Sequence, residues 1–241
     1  MRVDLNPAFI LHRRPYRETS LLLDVFSRDH GRVGLLAKGA RRPRTGFAEI
    51  LQPFLRLQLA WSGKSELMTL TRAEPGQPGH SLKAERLIAG FYLNELIARM
   101  LHRHEAHADL YTAYDETLKA LADTGSDEQV AIRLFEKRLL KSIGYGLVLD
   151  HDVQSGKSIE DDQDYYYQAD RGPGRNAPPT PDYVKISGRA LLAIHRECFD
   201  SGESLGEAKL LMRYILNKHL GSKPLASRNL YQSYLDTFRD R

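Results

Sequence analysis

Three clusters in this 241-residue sequence carry side chains that chemistry uses. His102, His104 and His107 offer imidazoles to a metal, Asp161, Asp162 and Asp164 are carboxylates of the kind that hold catalytic divalent ions, and Cys198 follows His195 by three residues as a thiol near a base. Their spacing argues against each role. Side chains two apart on a helix, such as His102 and His104, point to nearly opposite sides. Two-metal sites draw carboxylates from separate rigid elements, whereas the three aspartates share one polar run and read as an acidic, solvated loop. Cys198 with His195 reads as a buried structural cysteine on an amphipathic helix. The phosphate loop, the dinucleotide glycine fingerprint, the nucleophile elbow and the H-E-x-x-H zinc motif are all missing from the sequence. We therefore expect no catalytic residue, no metal and no cofactor, with a nuclease built on the acidic loop as the enzymatic alternative.

A different chemistry, the holding of a polyanion, has stronger support. Lys38-Gly39-Ala40-Arg41-Arg42-Pro43-Arg44-Thr45-Gly46 puts four cations in seven residues, with glycines and a proline that keep the stretch irregular. Such a loop can track phosphates without reading bases. Arg13, Arg14 and Arg17 add charge nearby, and Phe9, Tyr16, Phe47, Phe54 and Trp61 are aromatics on which unpaired bases could stack, although Trp61 and Phe54 read as core. The charge is segregated along the chain. Residues 1–80 carry +6, residues 81–208 carry −7 and residues 209–241 carry +5, so the formal total of +4 hides two basic ends.

The elements that must position these residues follow from periodicity. Five short β-type runs lie near residues 8–14, 20–27, 32–38, 55–61 and 66–72, with Pro15 interrupting the first. In the fourth run, Leu55, Leu57, Leu59 and Trp61 alternate with Arg56, Gln58 and Ala60. The expectation is an α+β chain: an N-terminal five-stranded OB-fold barrel over residues 1–80, then a mainly α-helical domain over 81–241, with an SH3-like barrel as the structural alternative. Helices are expected over about 81–104, 108–122, 126–144, 189–199, 204–220 and 228–238, with Ser81 as an N-cap and capping boxes at Ser126–Gln129 and Ser204–Glu207. In the third of these, Leu134 and Phe135 are expected to face inward, and Arg133, Lys137, Arg138 and Lys141 outward. Residues 150–182 are rich in Asp, Tyr, Gly and Pro and read as an irregular insert. A single cysteine excludes a disulfide framework, and no apolar run approaches a membrane span or a secretory signal, so the chain is expected in the cytoplasm.

Ordered blocks then resemble a known family, the RecO recombination mediators of bacterial DNA repair. They include Ala8-Phe9-Ile10-Leu11-His12, Glu18-Thr19-Ser20-Leu21-Leu22-Leu23, Ala37-Lys38-Gly39-Ala40-Arg41, Tyr92-Leu93-Asn94-Glu95-Leu96, Gly144-Tyr145-Gly146 and Gly221-Ser222-Lys223-Pro224-Leu225. The resemblance implies an OB-fold followed by a helical domain with an insert. It also implies a protein without catalysis that binds single- and double-stranded DNA, anneals strands and, with RecR, promotes RecA loading onto DNA coated by the single-stranded DNA-binding protein SSB. A nucleoid-associated place in the cytoplasm, with no membrane partner, goes with that role. DNA contact is expected at Arg13, Arg14, Lys38, Arg41, Arg42, Arg44, Lys223 and Arg228. The SSB C-terminal tail, acidic and ending in an apolar residue, is expected at Arg133, Leu134, Phe135, Lys137 and Lys141, with the basic stretch Lys218, Lys223 and Arg228 as competitor. Many members carry two C-x-x-C pairs in the insert. Here Asp152 and Ser155 stand at the first pair and no second exists, so a zinc-less insert is expected. A protein-interaction scaffold with an incidental basic loop is the alternative reading.

Overall fold

The computed structural model describes residues 1–42, 47–221 and 223–230. Arg44, at the end of the basic loop, and most of the expected C-terminal helix lie outside the described residues. Two compact units share the chain: one takes residues 1–125 and resumes at Pro224, the other takes Ser126–Lys223. The composition break near residue 80 falls inside the first unit.

In the first unit, β1 (Arg2–Tyr16), β2 (Ser20–Ser27), β3 (Gly31–Ala37), β4 (Leu57–Ser62) and β5 (Leu67–Pro75) form a closed barrel in the order β1-β2-β3-β5-β4, with a one-turn helix α1 (Phe47–Ile50) between β3 and β4. The strand order and the parallel closure of β3 on β5, from Gly34 opposite Leu67 to Leu36 opposite Thr69, make it an OB-fold rather than the SH3-like alternative. β1 runs straight through Pro15, contrary to expectation. Its pairing with β4 reaches only from Arg2 to Ala8, so at Pro15 one side of the strand is an edge, where a missing N–H breaks no ladder.

β1 is also buried on both faces, which explains the unbroken apolar run Ala8-Phe9-Ile10-Leu11. Ala8 and Ile10 belong to the barrel core with Val25, Leu35, Leu59 and Trp61. Phe9 points the other way, with its ring 5.2 Å from that of Tyr111 and 5.1 Å from that of Tyr114 on α3 (Ala108–Ala122). Asn94 on α2 (Ala84–Met100) donates to the Leu11 carbonyl at 2.9 Å, at the bulge where the β1–β2 register shifts, and accepts from the Tyr114 hydroxyl. Asp115 joins the same interface, gripping Arg56 at 2.7 Å and His80 at 2.9 Å. α2 starts at Ala84, with no side-chain cap and without the expected help of Ser81, and ends at Met100.

The second unit contains α4 (Glu128–Ser142), α5 (Gly188–Arg196) and α6 (Gly202–Leu220) with β6 (Asp164–Gln168), β7 (Gly172–Gly174) and β8 (Val184–Ser187). Both expected capping boxes are displaced. Asp127, not Ser126, caps α4 through the N–H groups of Gln129 and Val130; Ser201 caps α6 through Ser204 N–H; and Glu207 accepts instead from Ser187 at the start of α5. Cys198, expected to be buried on a helix, is exposed and lies past the end of α5, which stops at left-handed Glu197. The insert holds more order than a loop. Its three strands form an antiparallel sheet in the order β7-β6-β8, with Tyr165 and Tyr167 buried beneath it.

Candidate nucleic-acid interface

The outward face of β1, β2 and β3 gathers cations that the sequence scatters. Arg14 stands opposite Leu22, which stands opposite Leu36, and one step along the same face Tyr16 stands opposite Ser20. Arg14 lines a cleft of about 420 Å³ with Arg103, Leu22, Leu67 and Glu66. The Arg103 guanidinium lies close against β3: a Cβ on Gly34 would come within 2.7 Å of its Nη1. Asp24 also borders the cleft, but Arg32 offsets its charge at 2.7 Å, leaving Glu66 as the other carboxylate lining it.

At one end of this face the basic loop is stapled to the β1–β2 turn. Arg41 N–H donates to the Thr19 carbonyl at 2.8 Å, its guanidinium lies 3.5 Å from the Arg17 carbonyl, and Ala40 is fully buried as an anchor. Lys38, Arg41, Arg42 and Arg17 are all exposed, Arg17 on a left-handed residue at φ 52° with its guanidinium 5.4 Å from the Tyr16 ring. Arg13 alternates to the other side and donates to the Leu51 carbonyl at 3.3 Å. Arg17 and Arg103 join the candidate face without having been in the expected set. Only the fold could bring Arg103 to Gly34, whereas the nearness of Arg17 to the loop follows from a tight turn. Of the five aromatics considered, Phe9, Phe54 and Trp61 are buried and Phe47 packs against the core. Tyr16 remains half-exposed on the face.

The α4 set behaves differently, and the outward placement expected for its cations is corrected. Arg133 is buried and pairs with buried Glu136 at 2.9 Å; Phe135 is buried; Leu134 is half-covered. Lys137 donates to the Ile194 and His195 carbonyls at 2.9 and 3.0 Å and to Glu197 at 3.0 Å, closing the end of α5 as a basic side chain does at a helix C-terminus. Burial pushes the Glu197 carboxyl upward, but Lys137 and Arg138 outweigh it and the net shift is downward. Lys141 is the exposed cation of the set. The C-terminal candidates differ in exposure as well. Lys223 is exposed at the end of the second unit, Arg228 is half-buried in the first, and Lys218 is paired with Asp182 at 2.6 Å.

In the insert, Asp152, at the place of the first cysteine pair, gathers backbone donors from two segments. Its Oδ1 accepts from Gln154 N–H at 2.7 Å and Ser155 N–H at 2.8 Å, and its Oδ2 accepts from Arg175 N–H at 2.9 Å, across from β7. One carboxylate thus joins the two loops that flank the site. Burial raises the acid's pKa, yet the backbone donors win and the net shift is downward. Among the described residues, no three His, Cys, Asp or Glu side chains are grouped to hold a metal ion, and no helix is long and apolar enough to cross a membrane.

Residues 1–78 match the family model described as Recombination protein O N terminal, and residues 82–229 match Recombination protein O C terminal. The "DNA repair protein RecO" of Nitrosococcus oceani is 45% identical over 232 residues, covering 96% of this chain and 94% of that protein. The protein of the same name from Methylococcus capsulatus is 45% identical over the same shares, and that of Nitrosospira multiformis is 42% identical over 234 residues, covering 97% and 96%.

Proposed function

Starting from the fact that the chain belongs to the RecO family of DNA repair and recombination proteins, we propose that it is a non-catalytic mediator that binds single- and double-stranded DNA through the barrel face and anneals complementary strands. The observation that carries this reading is the convergence of Arg14, Arg17, Lys38, Arg41 and Arg42 around half-exposed Tyr16. Guanidinium and ammonium groups on a rigid sheet neutralise successive phosphates and release counterions, and a neighbouring tyrosine gives a splayed base a surface to stack on. Neither contact reads base identity, which suits a protein that must act on any damaged sequence. Arg13, turned to the Leu51 carbonyl, plays a supporting part, and Lys223, in the second unit, and Arg228, in the first, add further contacts.

With RecR, the same action promotes RecA loading onto SSB-coated strands, and the SSB tail meets the second unit. Lys141 and Leu134 are the α4 positions that remain reachable for that tail, because Arg133, Phe135 and Lys137 are committed inside the unit. Fluorescence anisotropy with unpaired oligonucleotides tests the DNA reading. Affinity should fall steeply with salt, and replacing Arg14, Arg41 and Arg42 by Ser should flatten the log K against log salt slope by about 2, at roughly 0.7 per contact on single strands. Binding indifferent to salt and to the three substitutions would overturn it. Tight RecR binding without annealing of SSB-coated strands would favour the scaffold reading instead.

A further inference from the structure

The Gly144-Tyr145-Gly146 motif has no part in the barrel face, and its geometry is specific. α4 stops on Gly144 in the left-handed region at φ 88°; Gly144 N–H donates to the Lys141 carbonyl at 3.1 Å and Tyr145 N–H to the Leu140 carbonyl at 2.8 Å. These are the paired bonds of a Schellman stop, which fix the backbone of the residue after the glycine and usually fold its side chain back onto the helix. Tyr145 does not fold back. It stays 50% exposed and lies against His219 in the last turn of α6, with ring centroids 3.9 Å apart and planes inclined by 40°. A Cβ on either flanking glycine, Gly144 or Gly146, would meet no atom within 4 Å. Exposed Lys141 is one turn back along α4; Lys218, beside His219 in sequence, is held by Asp182 at 2.6 Å, and Asp170 lies near enough to act on His219 electrostatically.

We propose that Tyr145, backed by His219 and flanked by Lys141, is a stacking platform for an unpaired nucleobase, giving the second unit a nucleic-acid contact of its own. The proposal rests on the barrel reading for the first strand and adds a place for a second. A ring already immobilised on a capped backbone and a neighbouring imidazole loses little freedom when a base stacks on it. Every base presents a π-face, so the contact tolerates any sequence, and the Lys141 ammonium can meet the adjoining phosphate. Alone such a contact is weak. It gains strength when the same protein already holds the complementary strand, since the second encounter is then intramolecular. Annealing needs two strands brought together, and this arrangement gives the chain one contact for each.

Photo-crosslinking of the full chain to an oligonucleotide carrying 5-iodouracil, with the modified peptides mapped by mass spectrometry, tests the assignment. We expect a crosslink at Tyr145 that persists when Arg41 and Arg42 are replaced by Ser and disappears in Tyr145→Ala. Annealing should slow roughly tenfold in Tyr145→Ala and stay near normal in Tyr145→Phe, which keeps the stacking face. The melting temperature should not move in either variant. Crosslinks confined to barrel residues, or undiminished annealing by Tyr145→Ala, would overturn the platform while leaving the barrel reading intact; no crosslink anywhere would remove both. Protection of Tyr145 by an acidic peptide ending in Phe, with no oligonucleotide crosslink there, would reassign the ring to a peptide partner.

Discussion

Residues 13–42 and residues 133–141 are both rich in cations, yet the fold uses them in opposite ways. On the barrel, the strands and the turns that join them present Arg14, Arg17, Lys38, Arg41 and Arg42 to solvent, with the backbones of Arg41 and Arg42 fixed by hydrogen bonds. On α4 the same residue types face structure: Arg133 is neutralised by Glu136 in the interior, and Lys137 closes the end of α5. Charge along a sequence is therefore not charge on a surface. A cation becomes available to a polyanion where its head group stays in solvent, and is spent where the interior has already neutralised it.

The sharpest way to break the comparison is to reverse a charge in each region. Arg133→Glu would set two carboxylates together in the interior, and loss of a buried partner costs about 3–5 kcal/mol, so urea denaturation should show the second unit strongly destabilised or unfolded. Reversing Arg41, on the exposed loop, should leave stability within about 0.5 kcal/mol and act on DNA affinity alone. A stable Arg133→Glu protein would dissolve the contrast.

The insert gives the next largest effect. Asp152→Asn removes the charge that holds three N–H groups and should cost about 1–3 kcal/mol, read as faster amide exchange at Gln154, Ser155 and Arg175. Because the folded pKa of Asp152 lies below its unfolded value near 3.8, its contribution is fully present above that value and is lost as pH falls through the folded pKa. Exchange in the insert should therefore accelerate below about pH 4 in the parent and depend less on pH in the variant. Chelators should leave both unchanged, since a carboxylate joins the two loops. A metal-dependent melting temperature would show that joint to be insufficient.

The effects on the barrel face are smaller: Arg14→Ser should lower the salt slope for single strands by about 0.7 with no change in stability. Arg13→Ser should change the slope less, because Arg13 reaches a carbonyl at 3.3 Å. Equal slopes would put both residues in the same environment.

The barrel was legible because turns and alternation are local. The alternation around Leu57, Leu59 and Trp61 is β4 as found, and the short runs before it are β2 and β3. The two-sided burial of β1 was not, since nothing within the strand says that α2 and α3 cover the face carrying Phe9. That same cover decides which aromatics remain for stacking. Phe9 and Tyr16 are equivalent as sequence and separate only once the sheet has an inside, an outside and a helical lid. On α4, periodicity placed Arg133 outward because arginines rarely go inside; the cue that it could do so was Glu136, three residues on, where a helix makes the pair neighbours. Asp152 was visible as a departure from a cysteine pattern. That it gathers amides from both loops depends on Arg175, 23 residues away.

Glu95 accepts from Ala226 N–H at 2.8 Å and from both the N–H and the hydroxyl of Ser227, at 2.9 and 2.7 Å. This fastens the returning chain to α2 after the whole of Ser126–Lys223 has intervened. For a chain made from its N-terminus, the order of manufacture is inverted. The second unit has its whole sequence once Lys223 has been made, while the first still lacks the piece that begins at Pro224. The unit that carries the barrel therefore closes on a segment made after the whole of the second unit.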